Sequence, residues 1–147
     1  MPAKACDGYT WGGRPLIEFS PLNLAYIGDA VFSLMAREAA MKESGDIPTA
    51  AISNKTDKLC CARAQAAMYF VVLGMLTDEE EAVLKSGRNQ NSRRNAKNSN
   101  ITEYRRATGL EALFGYLYLR GDKKRLHELF ECCIMSVDGS EVTNSGG

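Results

Sequence analysis

Two carboxylates stand out because nothing near them in the sequence matches their charge. Asp29 is the only charged residue between Leu22 and Ala36, and Glu111 is the only one between Ala107 and Leu119. Both stretches are otherwise apolar over helical lengths, so two helices that are hydrophobic almost all the way round are expected, each with one stranded acid. A carboxylate in such surroundings is costly to bury unless something replaces its lost hydration. One shared partner would serve both acids, and a hard cation such as Mg²⁺ is the simplest. Two carboxylates can hold Mg²⁺ while several waters stay attached. Such an ion binds a phosphate oxygen, makes a bound water more acidic and stabilises a leaving oxygen. That chemistry needs no histidine, which suits a chain whose only histidine is His127. Each acid also has a plainer reading. Asp29 can hydrogen-bond Ser33 one turn on, and Glu111 can pair with an arginine such as Arg63. Two such outliers in one small domain favour a joint site.

The second chemical feature is basic. Lys85, Arg88, Arg93, Arg94, Lys97, Arg105 and Arg106 face a single acid, Glu103, between residues 85 and 106, a net charge of +6 in a chain whose overall formal charge is zero. A charge run is ordinarily a solvated loop. Here Asn89, Asn91, Asn95, Asn98 and Asn100 are interleaved with the cations. They add neutral donors suited to phosphates, sugars and base edges. Few aromatic residues lie in the run, so it lacks a stacking platform for single strands, and backbone contacts to a duplex fit it better.

The elements that must position these groups read as helices. Ser20-Pro21 is a start signal, with Phe19 ahead of the cap, and the helix should run to about Lys42 before Ser44-Gly45-Asp46. A long or broken helix is expected from about Thr49 to Leu73. Thr77 and Glu80 form a capping box for a short helix ending at Gly87. Residues 88–101 read as an exposed loop. Thr102 is the expected cap of the helix carrying Glu111, which should end at Gly121. Asp122 opens a last helix with Leu126, Leu129, Phe130 and Ile134 on one face. Met35, Met41, Met68 and Met75 fall within apolar patterns and are expected in the core. Residues 1–18 show little periodicity and no strand alternation is convincing, so the expectation is all-α.

With 147 residues and 45% hydrophobic composition, the chain fits one domain with a real core. We expect that core over about 20–136 and a frayed, flexible Gly/Ser-rich tail over about 137–147. No apolar run approaches the roughly 20 residues of a membrane span, and no secretory signal is evident. Five cysteines without C-x-x-C spacing read as reduced thiols, so a cytoplasmic protein is expected.

Several segments together resemble the Mini-III ribonucleases, small relatives of ribonuclease III. They are Leu24-Ala-Tyr-Ile-Gly-Asp29-Ala-Val-Phe, Arg63-Ala-Gln-Ala66, Gly87-Arg-Asn89, Tyr104-Arg105 and Thr108-Gly-Leu-Glu111-Ala-Leu-Phe-Gly-Tyr-Leu-Tyr-Leu119. The match spans roughly residues 20–135. The resemblance implies an all-α, ribonuclease III-like endonuclease domain without an appended double-stranded RNA-binding domain. It implies a homodimer that hydrolyses double-stranded RNA with Mg²⁺, leaving 5′-phosphate and 3′-hydroxyl ends. Family members mature large-subunit (23S) ribosomal RNA precursors, so ribosomal proteins on that substrate are further expected partners. By position, Asp29 and Glu111 match the catalytic, metal-binding carboxylates. The loop holding Arg88, Asn89 and Lys97 matches the segment these enzymes insert toward RNA. Together with Lys85, Arg93, Arg94 and Arg105 it forms the expected RNA-binding set.

Departures from ordinary ribonuclease III are informative. That larger family has further acids seven and four residues before the Asp and three before the Glu, where this chain has Leu22, Ala25 and Thr108. The Mini-III enzymes share this reduced set, which leaves waters and RNA phosphates to complete the metal shell. In the loop, Ser86 and Gln90-Asn91 depart from the usual Arg-Gly-Arg-Asn-Ala-Lys run. Two other classes compete with an endoribonuclease. One is a non-catalytic RNA-binding or ribosome-associated relative; the other is a helical dimer that binds a protein partner.

Overall fold

A computed structural model describes residues 8–90 and 101–146. It holds six α-helices among those residues: α1 (Pro21–Ser44), α2 (Thr49–Cys60), α3 (Ala62–Leu73), α4 (Asp78–Arg88), α5 (Ile101–Arg120) and α6 (Lys123–Gly146). Start signals in the sequence explain the first of them. Ser20 Oγ accepts the Asn23 N–H at 3.1 Å, with Pro21 at the first helical position. At α4 both arms of the capping box are made, Thr77 N–H to Glu80 Oε1 at 3.0 Å and Glu80 N–H to Thr77 Oγ1 at 3.2 Å.

Helix α5 is the axis of the bundle, with α1, α3 and α4 packed around it and α6 closing the core. Its Leu110, Leu113, Phe114 and Leu117 are fully buried. Phe32 from α1, Phe114 from α5 and Phe130 from α6 meet at ring separations of 5.3, 5.5 and 6.4 Å, tying three helices into one core. Leu126, Leu129 and Phe130 are buried on α6 as their spacing predicts.

The broken form of the helix expected from Thr49 to Leu73 is the one observed, and other local expectations need correction. The stretch from Thr49 to Leu73 is two helices, broken where Cys61 adopts extended backbone at φ −73° and ψ 155°. No glycine or proline marks the break; Cys61 ends one hydrogen-bond ladder and opens the next, its N–H bonding Asp57 O and its C=O accepting from Gln65 N–H. Thr102 lies inside the helix and is not its cap, because the chain is already helical at Ile101. Residues 10–15 form a short antiparallel hairpin, β1 (Thr10–Trp11) against β2 (Arg14–Pro15), across Gly12-Gly13 with φ of 61° and 78°. Glycine takes two successive left-handed residues without strain, which suits this two-residue turn. Met41, near the end of α1, and Met75, in the turn after α3, are exposed, whereas Met35 and Met68 are buried. Helix α6 continues past Val137 to Gly146, since one interior glycine weakens a helix without breaking its hydrogen-bond ladder.

Candidate active site

The two stranded acids meet because of glycines. Where α1 crosses α5, a Cβ on Gly28 would lie 1.7 Å from the Glu111 carbonyl oxygen, and one on Gly115 would lie 2.0 Å from that of Leu24. The backbones therefore touch, an approach only glycine allows. Asp29 follows Gly28 in the chain and lands beside Glu111. The close approach foreseen for Gly28 is thus made by the helix that bears the other acid.

Burial, then the negative charge of Asp29, then a hydrogen bond to Asp29, push the Glu111 carboxyl up to about 8. The side-chain amide of Gln65, on α3, opposes the shift by donating to Glu111. The partners of Glu111 are thus a second acid and a neutral amide. Neither plainer reading survives. Arg63 makes no ion pair with Glu111 among the described residues. Ser33 Oγ accepts from Arg37 Nε at 3.3 Å, and no hydrogen bond joins Ser33 to Asp29 among the described residues.

One premise is corrected. Asp29 is exposed and Glu111 only partly buried, so the site opens to solvent. Helix α1 is apolar on that side because Leu22, Tyr26 and Leu34 are themselves exposed, Tyr26 to 82%. An open pair of like charges is accessible to a substrate and to an ion, which a sealed pair would not be.

The donor chemistry fits Mg²⁺. Both acids offer hard oxygens, and the excess negative charge that raises Glu111 is what a divalent cation would relieve. Among the described residues no group of three or more His, Cys, Asp or Glu is placed to hold a metal ion, so this would be a two-carboxylate site completed by water and substrate. Cys60 also lies within the field of both acids. Burial, then Asp29, push its thiol up to about 11, so it stays a neutral thiol at physiological pH. Sequence reasoning missed Gln65 and Cys60 as neighbours of the pair. Residue 65 lies within a segment quoted for its family resemblance, which was the available signal.

The basic residues divide. Arg93, Arg94 and Lys97 lie outside the described residues. Lys85 Nζ lies 2.7 Å from Glu81 Oε2 one turn away. Arg88 Nη1 donates to Tyr69 Oη at 3.0 Å and its Nε to Asn89 Oδ1 at 3.1 Å. Arg105 is partly buried. Arg106 lies over the ring of Phe70 at 4.5 Å, and Phe70 packs edge-on to Tyr69. Arg88 and Arg106, one on either side of residues 89–105, are therefore fixed to adjacent aromatics of α3. His127 is exposed and lies apart from the acid pair.

Known proteins share this architecture. Residues 22–122 match the ribonuclease III domain. The chain is 39% identical over 126 residues to the mini-ribonuclease 3 of Enterococcus faecalis, covering 84% of this chain and 95% of that one. It is 39% identical to the mini-ribonuclease 3 of Clostridium tetani, covering 82% and 80% respectively. A crystal structure of a Fusobacterium nucleatum protein superposes with a TM-score of 0.71 at 25% identity, covering 81% of this chain and 94% of that one. Fold and sequence together define a ribonuclease III domain. The chain belongs to that family and, within it, to the mini-ribonuclease 3 group.

Proposed function

We propose that this endoribonuclease hydrolyses double-stranded RNA with Mg²⁺, leaving 5′-phosphate and 3′-hydroxyl ends, and that Asp29 and Glu111 are its catalytic and metal-binding residues. The observation that carries this is the close crossing of α1 and α5 at Gly28, which sets Asp29 beside Glu111 with no cation paired to Glu111 among the described residues. When bound there, Mg²⁺ supplies positive charge to a scissile phosphate and acidifies the attacking water. Asp29 and Glu111 would bind the ion through oxygen, and Glu111 gives up its proton as it does so. Having only two protein ligands leaves room for water and a phosphate oxygen at the same centre. Gly28 and Gly115 hold the two acids in register without any rearrangement.

The RNA contacts we propose are Lys85, Arg88, Asn89, Arg93, Arg94, Lys97 and Arg105. Concentrating charge in one segment of a neutral chain gives a local phosphate-binding surface, with affinity that falls steeply as salt rises. The chain acts as a homodimer on this reading. Support comes from Leu22, Tyr26 and Leu34, spaced along one side of α1 and exposed, an apolar stripe that a second copy would cover. Tyr26→Glu should shift sedimentation toward the monomer. The large-subunit (23S) ribosomal RNA precursor in the cytoplasm is the substrate that family resemblance favours. No helix among the described residues is long and apolar enough to cross a membrane.

The test is incubation of the purified protein with an end-labelled, fully paired RNA duplex in Mg²⁺ and in EDTA. Discrete cuts that need the metal, with 5′-phosphate ends, are expected. Tight binding without cutting on several duplexes would replace this reading with a non-catalytic RNA-binding role. Mapping cut ends on precursor ribosomal RNA then tests the natural substrate.

A further inference from the structure

The arginines of this fold divide by what holds them. Arg120 pairs with Asp122 at 2.8 Å, and Arg125 with Glu80 at 2.8 Å and Glu128 at 3.0 Å, so their charge is balanced inside the molecule. Arg88, the last residue of α4, and Arg106, near the start of α5, are held differently. Arg88 Nη1 donates to Tyr69 Oη at 3.0 Å and its Nε to Asn89 Oδ1 at 3.1 Å. The Arg106 guanidinium sits over the Phe70 ring, 4.5 Å from its centroid. A hydroxyl, an amide oxygen and a ring face carry no net charge. Neither arginine takes part in an ion pair among the described residues. Both guanidiniums are therefore restrained while their charge stays uncompensated.

The two holders are consecutive residues of α3. Tyr69 is 1% exposed and meets the Phe70 ring edge-on at 5.3 Å, whereas Phe70 is 53% exposed. A phenylalanine that exposed adds little to the core, but it offers a face on which an arginine can lie. Because the two rings touch, they bring guanidiniums from different helices to adjacent places on α3. Each guanidinium keeps donors. Arg88 spends Nε and one Nη1 proton, and Arg106 makes no hydrogen bond among the described residues. The planar fork of a guanidinium matches the oxygens of a phosphate, and holding it in advance lowers the ordering cost of binding. The two charges rest on different rings, which suits two phosphates of one backbone better than a single small anion.

We propose that Arg88 and Arg106 form one two-guanidinium site for the backbone phosphates of duplex RNA, with Tyr69 and Phe70 as its positioning residues. This adds Arg106 to the RNA contacts given above and rests on that RNA-binding reading.

Fluorescence anisotropy of a labelled, fully paired RNA duplex, titrated with the full chain in EDTA at several KCl concentrations, tests it. EDTA removes the metal that cleavage would need and leaves phosphate contacts in place. Arg106→Ala should flatten the slope of log affinity against log salt by about one, and the double variant Arg88→Ala with Arg106→Ala by about two. Phe70→Leu keeps both charges, so its slope should hold while affinity falls about two- to fivefold with loss of the ring face. A folded Arg106→Ala protein with the parent's slope overturns the proposal. A folded Phe70→Leu protein with the parent's affinity overturns the positioning role. If Arg106→Ala fails to fold by circular dichroism, Arg106→Gln, which keeps a polar side chain without charge, is titrated instead, with the same outcomes. A parent protein with no salt-dependent affinity for the duplex would overturn the RNA-binding reading along with this one. A parent that binds with a steep slope while the Arg106 variant matches it overturns this site alone.

Discussion

Glu80 and Glu111 are the same residue type, the first buried and the second partly buried, with opposite electrostatic outcomes. At Glu80 burial raises the carboxyl, but the Arg125 hydrogen bonds and the Thr77 N–H outweigh it and hold the group below its ordinary range. At Glu111 burial acts in the same direction, and the nearest charge is another acid, so the group rises to about 8. Glu80 carries its counter-charge within the fold. It ties α4 to α6, and Arg125 Nη2 also donates to the Met75 carbonyl at 2.8 Å. No such cation pairs with Glu111 among the described residues. A stability site closes its charge balance internally, whereas a site for an ion and a phosphate leaves it open.

The largest effect should come from removing the open site. Asp29→Asn keeps shape and discards the charge; cleavage of a duplex should fall at least about a thousandfold, roughly 4 kcal/mol of barrier, with RNA affinity by filter binding retained. Turnover close to the parent would remove Asp29 from the chemistry. The closed site should show the reverse. Arg125→Met leaves Glu80 buried and unpaired, a loss of about 3–5 kcal/mol that denaturant unfolding would read, while the folded fraction still cuts RNA. A change below about 1 kcal/mol would mean that water replaces the guanidinium.

A subtler test uses pH. The proton on Glu111 is held more tightly in the folded than in the unfolded chain, whose ordinary value is 4.5. Its contribution to stability is therefore complete below pH 4.5 and lost as pH climbs through about 8. Glu111→Gln cannot ionise, so the metal-free variant should gain on its parent across that window. The gain should reach about 1–3 kcal/mol by pH 9 after discounting for the partly exposed site. Equal stability at pH 5 and pH 9 relative to the parent would show that the acids do not repel. The smallest effect concerns the RNA surface. Arg88→Ala should flatten the dependence of log affinity on log salt by about one. An unchanged slope would mean that Arg88 serves only to hold Tyr69.

The open site was more legible in the sequence than the closed one. Asp29 and Glu111 are visible because each stands alone in an apolar run. Gly28 is visible as a costly glycine in a helix. Glu80 is readable only as a capping residue, because its pairing with Arg125 spans 45 residues and no local pattern announces it. Gln65 is hidden for the same reason, since its contact crosses from α3 to α5. The break at Cys61 has no composition signal, and a three-dimensional packing requirement decides it. The Gly12-Gly13 hairpin carried a turn signal, but its two-residue strands are too short to show alternation. The exposure of Asp29 was misjudged because an apolar stripe looks the same whether the fold or a second copy is to cover it.

The most direct measurement is the change in Tm that Mg²⁺ causes in the parent and in Glu111→Gln at pH 7. An ion bound to the folded chain alone must raise Tm. The parent should start lower than the variant and rise with Mg²⁺, while Glu111→Gln starts higher and does not respond. An equal rise in both proteins would place the ion elsewhere and contradict the account of Asp29 and Glu111 as its site.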